Sequence, residues 1–180
     1  MKRVVVYCSS NDDLPLDWQR GARLTGEWIG RHGAQLIYGG VDSGLMRVTA
    51  GAAKEAGAEV VGIVPGRRRM MSSRLNDIVV PTSDLNDRKG VMQMLGDIFV
   101  VLPGGYGTLD EFTTSFSYLN FTHQKRPIVG FNADGVFDHI LAQFNHCMEL
   151  GLMPHGSTDI IHEARTPEQL IQILDSLSNS

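Results

Sequence analysis

Seven short, continuously apolar runs alternate with longer amphipathic segments along the chain, and this alternation limits the possible folds more than any other feature. A continuous apolar run indicates a strand covered on both faces, which predicts strands at 3–8, 34–38, 59–64, 77–80, 97–102, 127–131 and 158–162. The intervening segments predict helices at 16–31, 44–56, 86–95, 109–120, 135–150 and 167–177. We therefore expect an α/β fold with a doubly wound parallel sheet and helices on both faces.

Chain length and charge restrict the number of domains and the partners. The 180 residues, 42% of them apolar, suit one core and predict a single domain over 1–180. Sixteen basic against twenty acidic residues give a net charge of −4, so we expect neither nucleic acid nor a membrane as partner. Cys8 and Cys147 are too few for a disulfide framework, and no apolar run reaches membrane-spanning length, which predicts a cytoplasmic protein.

The stretch VVLPGGYGTLDE, residues 100–111, leads from a predicted strand into a predicted helix through three glycines. Gly104, Gly105 and Gly107 remove side chains, so backbone N–H groups can approach a ligand closely. The N-terminus of the following helix adds free N–H donors and a partial positive charge. Because ligands of doubly wound sheets bind where strands end, this turn predicts a phosphate site.

Two structural alternatives compete with ligand binding at the glycine-rich turns. Thr108 and Glu111 match a T-x-x-E capping box, which would begin a helix in any protein but does not account for three glycines. A carboxylate at Glu111 near a phosphate costs electrostatic energy, which favours a chemical role for it. The turn at 39–46, GGVDSGLM, either faces a ligand or serves tight packing, and the sequence leaves both readings open.

Neither glycine-rich turn matches a common nucleotide-binding motif. Residues 105–110 begin like G-x-G-x-x-G, but Asp110 stands where the third glycine of a dinucleotide site belongs, which disfavours NAD. Residues 39–46 have glycines at Walker A spacing, yet Leu45 and Met46 replace the lysine and hydroxyl residue that a P-loop requires. No cofactor is predicted.

The segment at 84–97 carries a second group of charged residues. Asp84 is a predicted N-cap, and Arg88 shares a helix face with the apolar residues three, four and seven positions later. An arginine on that face either needs a buried partner or lays its stem along the core edge with its head in water. Lys89 lies nearer the polar side and is expected to be solvated.

The remaining charged and metal-ligating residue types show weaker patterns. The six histidines lack close pairing with carboxylates at metal-ligand spacing, so no metal site is predicted. Four arginines in GRRRMMSSR, residues 66–74, predict a solvated loop, although such a loop could also gather a phosphate-rich ligand.

The ordered set YGG…GLM (38–46), D-x-x-x-RK (84–89) and PGGYGTLDE (103–111) resembles the Lonely guy, or LOG, family over nearly the whole chain. Its members are cytokinin riboside 5′-monophosphate phosphoribohydrolases that often carry the label lysine decarboxylase. The resemblance implies a Rossmann-like homodimer that hydrolyses the N-glycosidic bond of a nucleoside 5′-monophosphate to a free base and ribose 5-phosphate.

The resemblance also implies roles for individual residues. The family's catalytic arginine and glutamate fall on Arg88 and Glu111. A carboxylate near the ribose can stabilise a developing oxocarbenium ion or orient the attacking water. The implied phosphate- and nucleotide-binding residues are Gly104, Gly105, Tyr106, Gly107, Thr108, Ser9, Ser10, Gly39, Gly40, Leu85 and Lys89.

This chain departs from the usual family motifs around the expected base. Val41 and Arg47 stand where glycines are typical, LNDRK replaces MHERK, and the first strand ends in CSS rather than CGSS. The motifs therefore predict the bond that is cleaved better than the base that is released. AMP is as credible a substrate as an isopentenyl-adenine nucleotide. A nucleotide sensor or a non-catalytic carrier, such as a molybdenum cofactor carrier, is the alternative from another class, and Arg88 with Glu111 argues against a carrier.

Overall fold

The computed structural model describes residues 1–66 and 72–178, which form one seven-stranded sheet with six helices. The strands are β1 (Arg3–Tyr7), β2 (Gln35–Tyr38), β3 (Val60–Pro65), β4 (Ile78–Thr82), β5 (Ile98–Val101), β6 (Ile128–Phe131) and β7 (Ile161–Ala164). The helices are α1 (Leu16–Arg31), α2 (Gly44–Glu55), α3 (Leu85–Leu95), α4 (Tyr106–Phe121), α5 (Asp138–Glu149) and α6 (Pro167–Ser178).

The sheet is parallel throughout, with the strand order β4-β3-β2-β1-β5-β6-β7. The chain builds outward from β1 to β4 and then returns to add β5 on the other side of β1. Val4 is therefore paired with Leu36 on one side and Ile98 on the other. This reversal places the topological switch point between β1 and β5, where ligands of doubly wound sheets bind.

Helices cover both faces of the sheet, which confirms the predicted fold class. Side chains from α1, α2 and α6 pack on one face, with Ile29, Leu45 and Leu170 fully buried there. Side chains from α3, α4 and α5 pack on the other, around Met92 and Phe112. Because both faces are covered, the strands carry the continuous apolar runs seen in the sequence.

The observed bounds differ from the predicted ones near the C-terminus. The last strand begins at Ile161 instead of 158, because residues Ser157–Ile160 form a 3₁₀ turn after Gly156. The fifth helix begins at Asp138 instead of 135, since Ala133–Gly135 form another 3₁₀ turn.

Residues 67–71 of the arginine-rich stretch lie outside the described residues, so the loop prediction for 66–74 is not tested there. Next to them, Ser72 forms an isolated antiparallel bridge with Val41, and Ser73 N donates to the Gly40 carbonyl at 2.7 Å. None of the helices in 1–66 and 72–178 combines the length and apolarity that crossing a bilayer requires.

Candidate active site

Three segments meet where β1, β2 and β5 end. The Ser9 N–H donates to the Pro103 carbonyl at 3.1 Å, which ties the end of β1 to the turn after β5. The Leu45 N–H donates to the Ser9 carbonyl at 3.0 Å, which ties the start of α2 to the same point. Backbone hydrogen bonds therefore fix both glycine-rich turns against the switch point.

Helix α4 begins at Tyr106, three residues earlier than predicted, and Gly105 is its N-cap. Thr108 and Glu111 therefore lie within the helix, and no side chain caps its N-terminus. The capping-box reading of these two residues is wrong. Within the described residues, no side chain accepts a hydrogen bond from the N–H groups at 106–108, so the partial positive charge of the helix end stays available.

The glycines of this turn serve different purposes. A Cβ on Gly104 would overlap the Thr108 side chain and approach Ser9 N at 3.0 Å, so packing requires a glycine there. A Cβ on Gly105 or Gly107 would meet nothing within 4 Å. Neither of these two glycines has a positive φ, and a glycine within a helix costs stability. Packing therefore requires glycine at neither position, although glycine is common at an N-cap such as Gly105, and space for a ligand explains Gly107 within the helix.

Arg88 and Glu111 form a buried ion pair between α3 and α4. Asp84 caps α3 as predicted, accepting from Asn86 N at 2.8 Å and Asp87 N at 2.9 Å, and Arg88 follows one turn later. Arg88 Nη2 donates to Glu111 Oε1, with the two side chains 17% and 9% exposed. The alternative in which Arg88 extends its head into water is therefore wrong.

This pair is electrostatically strained and incompletely satisfied. Burial raises the pKa of Glu111, and Arg88 opposes that rise through its charge and hydrogen bond. Arg88 Nε is buried and has no hydrogen-bond partner among the residues described. Gly39 borders the same guanidinium, since a Cβ there would lie 3.5 Å from Arg88 Nη1. The guanidinium therefore lies between Glu111 and Gly39, with one buried N–H donor left unpaired.

The prediction that Lys89 is solvated is wrong. Its Nζ donates to both Asp110 oxygens, at 2.8 and 2.7 Å, and its side chain is only 13% exposed. The reason is tertiary, because the partner lies 21 residues away on α4. Its predicted contact with a nucleotide remains a prediction.

The turn at 39–46 is largely filled by the protein itself. Gly40 has φ +73° and Gly44 has φ +53°, and a Cβ on Gly44 would lie 2.5 Å from the Asn11 carbonyl oxygen. Asp12 Oδ1 accepts from Gly44 N at 2.9 Å and from Arg47 Nη2 at 2.5 Å. Tight packing therefore accounts for Gly40 and Gly44, and only Gly39 remains beside the candidate site.

Asp12 was not identified from the sequence. Its contact with the start of α2 joins residues 32 positions apart, and no local spacing indicates it. The sequence gives no signal for it, because Ser43 is a typical capping residue for α2, yet its side chain makes no capping hydrogen bond in the structure.

The other predicted nucleotide-binding residues surround the turn at 103–108 without a ligand-directed contact of their own. Ser9 is buried and bonded through its backbone, and Ser10 is exposed. Leu85 and Tyr106 begin α3 and α4, and the Tyr106 side chain is 94% exposed. Their roles in nucleotide binding remain predictions. Within the described parts of the chain, no group of three or more potential ligands could hold a metal ion.

Comparison with known proteins finds relatives that match over most of the chain. A family model described as "Possible lysine decarboxylase" matches residues 46–174. A protein from Oryza sativa subsp. japonica, named a probable cytokinin riboside 5′-monophosphate phosphoribohydrolase, is 31% identical over 98% of this chain and 73% of its own length. A cytokinin riboside 5′-monophosphate phosphoribohydrolase from Arabidopsis thaliana is 29% identical over 97% of this chain and 82% of its own.

Solved structures share the fold. The molybdenum cofactor carrier protein from Chlamydomonas reinhardtii superposes with a TM-score of 0.76 at 22% identity, covering 99% of each chain. At that identity the likeness concerns the Rossmann-like architecture alone. The match of the family model over most of the chain, together with the plant relatives, shows that this chain belongs to the LOG family, whose model bears the lysine decarboxylase description.

Proposed function

We propose that this protein hydrolyses the N-glycosidic bond of a nucleoside 5′-monophosphate to a free base and ribose 5-phosphate. One observation carries the proposal: Glu111, buried in an ion pair with Arg88 of α3, lies in the second turn of α4, next to the uncapped first turn of that helix. The activity named for the plant relatives supports the same reaction. The substrate class is therefore a nucleotide, and no metal or cofactor is invoked.

The phosphate is proposed to bind at residues 104–108. The free N–H groups of the first turn of α4 and the positive end of its dipole suit an anion. The open space at Gly105 and Gly107 lets phosphate oxygens reach the backbone. Glu111 follows one helical turn later, a rise of about 5.4 Å, which is comparable to the reach of a ribose from its 5′-phosphate.

Glu111 is proposed to act on the sugar. In the reaction the C1′–N bond breaks, its electron pair leaves with the base, and water supplies the new C1′–O bond. An ionised carboxylate can stabilise the cationic sugar or orient the attacking water, and both roles require the deprotonated form. Arg88 favours that form by pairing with Glu111.

A non-catalytic nucleotide or molybdenum cofactor carrier is the competing function. Such proteins share this fold, as the Chlamydomonas structure shows. Binding a phosphate alone gains nothing from a buried carboxylate in the next turn, because the two negative charges repel. The position of Glu111 therefore favours a catalyst.

Chromatographic detection of free base, after incubation with a panel of nucleoside 5′-monophosphates, tests the proposed reaction. The panel includes AMP and an isopentenyl-adenine nucleotide, and the Glu111→Gln chain is the matched control. We expect wild-type protein to release base from at least one monophosphate and the control to release far less. Tight binding without release from any member would support the carrier instead.

Self-association into a homodimer is part of the proposal. A groove of about 680 Å³ between α4 and the segment after α5 is lined by Phe116, Phe144 and Met153, among others. Phe121 at its edge is 86% exposed, and α5 has no fully buried residue. An exposed apolar surface of this kind is typical of protein interfaces. Light scattering should show a dimer that Phe121→Asp dissociates, and a wild-type monomer at micromolar concentration would contradict this.

A cytoplasmic location is proposed as well. Cys8 and Cys147 are both free, which suits a reducing compartment. Cell fractionation with a tagged protein would test the location, and recovery in a secreted or membrane fraction would contradict it.

A further inference from the structure

A second ion pair lies directly beside the first. Lys89 and Asp110 neighbour Arg88 and Glu111 in sequence, so consecutive residues of α3 pair with consecutive residues of α4. Both Asp110 oxygens accept from the same ammonium, at 2.8 and 2.7 Å. The Lys89 side chain has lost most of its water to make this contact, since it is only 13% exposed. The Asp110 side chain is 56% exposed, so the pair lies at the surface with its lysine end covered by protein.

Asp110 is a second carboxylate within the electrostatic influence of Arg88. The hydrogen bond from Lys89 is the main cause that holds the pKa of Asp110 below its usual range, and the charge of Arg88 lowers it further. Burial chiefly raises the pKa of Glu111, and the neighbouring Asp110 charge raises it further. Asp110 therefore attracts Arg88 and repels the ionised form of Glu111, and Lys89 counters both effects.

We propose that Lys89 is a positioning residue for the proposed hydrolysis: it binds Asp110, so that Arg88 keeps Glu111 as its single carboxylate partner. This inference rests on the proposed function. Without the ammonium, the Asp110 carboxylate is free to draw the guanidinium of Arg88 toward itself. Glu111 would then be buried with a weakened partner, and a buried carboxyl without its cation takes up a proton.

The groups that face Glu111 come from three elements. The charges that act on Glu111 are those of Arg88 and Lys89 on α3 and of Asp110 on α4. Glu111 in turn acts on two groups at the end of β1, Tyr7 and Cys8. Burial raises the pKa of both Tyr7 and Cys8, so the two stay neutral over the working range. The charge balance at Glu111 is thus set by Arg88, Lys89 and Asp110.

Two variants distinguish a role of Lys89 in the charge balance at Glu111 from a purely structural role, in which the Lys89–Asp110 pair only clamps α3 to α4. Lys89→Met removes the ammonium, and Lys89→Met/Asp110→Asn removes the pair together. We expect the single variant to lower kcat about tenfold at pH values on the acid limb and to move that limb to higher pH, because more of Glu111 is protonated there. The double variant should recover most of kcat and return the limb toward the wild-type position.

An NMR titration of the Glu111 carboxyl in the unliganded chains gives a readout that needs no turnover. Its pKa should rise in Lys89→Met and fall back in the double variant. A double variant as slow as the single one, with an unchanged Glu111 pKa, would overturn the inference in favour of a clamp. A raised KM with an unmoved acid limb would overturn it in favour of a direct contact between Lys89 and the nucleotide. Failure of the proposed function would appear separately, as absence of base release by wild-type protein.

Discussion

The turns after β2 and β5 both contain glycines and both begin a helix at the switch point, yet the protein uses them differently. At α2, the Gly44 N–H bonds the Asp12 carboxylate and the Leu45 N–H bonds the Ser9 carbonyl. At α4, Gly105 is the cap and no side chain among the described residues accepts from the first turn. The protein places its own anion at one helix end and leaves the other for a ligand.

This difference shows how the role of a glycine can be assigned. Gly44 has a positive φ, and a Cβ there would collide with the 9–11 segment, so the fold itself demands glycine. Gly105 and Gly107 have ordinary backbone angles and open space around the missing Cβ, so the fold does not demand it. A glycine without a structural reason, next to an uncapped helix end, indicates a binding site.

The largest expected effect is on catalysis, because the proposed catalytic carboxylate, Glu111, follows the turn before α4 and the turn before α2 has no counterpart. Glu111→Gln keeps the side-chain shape and can still accept a hydrogen bond from Arg88, but it loses the charge. We expect kcat to fall by roughly 10²–10⁴-fold, the range for a positioned acid–base group. Steady-state kinetics should show KM unchanged or lower, because repulsion of the phosphate is relieved. Glu149→Gln, an exposed carboxylate on α5, is the control, and full turnover by Glu111→Gln would defeat the catalytic assignment.

Placing a carboxylate at the α4 cap should make this turn resemble the one at α2. Gly105→Asp introduces a favoured N-cap residue, so thermal stability should hold. The new charge repels phosphate and occupies its donors, and loss of charge-assisted hydrogen bonds corresponds to roughly 10–100-fold weaker binding. Titration calorimetry with ribose 5-phosphate measures the change. Gly105→Asn adds a cap without the charge and should lose less, and equal affinity of wild type and Gly105→Asp would contradict the comparison.

Alanine at the two kinds of glycine should have opposite effects on stability. Gly44→Ala forces a side chain into a left-handed backbone and against the Asn11 carbonyl, which should cost about 2–4 kcal/mol. Gly107→Ala lies in a helix with open space and should gain up to about 1 kcal/mol while weakening phosphate binding. Denaturant unfolding of both variants checks this, and similar changes in the two would remove the distinction.

The smallest expected effect is at Asp12. The hydrogen bond that Asp12 accepts from the Gly44 N–H is the main cause that lowers the pKa of its carboxyl. Arg47 lowers that pKa further. A group whose pKa is lower in the folded state stabilises the fold above its unfolded pKa and loses that contribution as pH falls through the folded pKa. Asp12→Asn should therefore lower Tm slightly at neutral pH, with the difference vanishing in acid. A Tm difference that persists unchanged in acid would contradict the charge-based explanation.

Much of the fold could be predicted because its signals are local. The strands are buried on both faces, so their apolar runs are continuous, and the order of runs and helices specifies the doubly wound class. Arg88 could be identified as a buried residue in need of a partner from its place on the apolar face of α3. Naming Glu111 as catalytic required the family resemblance, since nothing local joins residues 88 and 111.

The predictions that failed depend on contacts between residues far apart in the sequence, which residue spacing does not reveal. Thr108 and Glu111 match the capping-box pattern, but Gly105 is the N-cap of α4, and Glu111 accepts a hydrogen bond from Arg88. Lys89 is withdrawn from water by Asp110, and Asp12 reaches the start of α2 across 32 positions. Each error concerns a contact between residues that are distant in sequence.

A crystal structure of wild-type protein with ribose 5-phosphate, the proposed product, tests the central claim most directly. We predict that the phosphate lies within hydrogen-bond distance of the backbone N–H groups at 105–108, with C1 of the sugar facing Glu111 and Arg88. A phosphate bound elsewhere, with the turn at 103–108 packed shut against the ligand, would contradict the account.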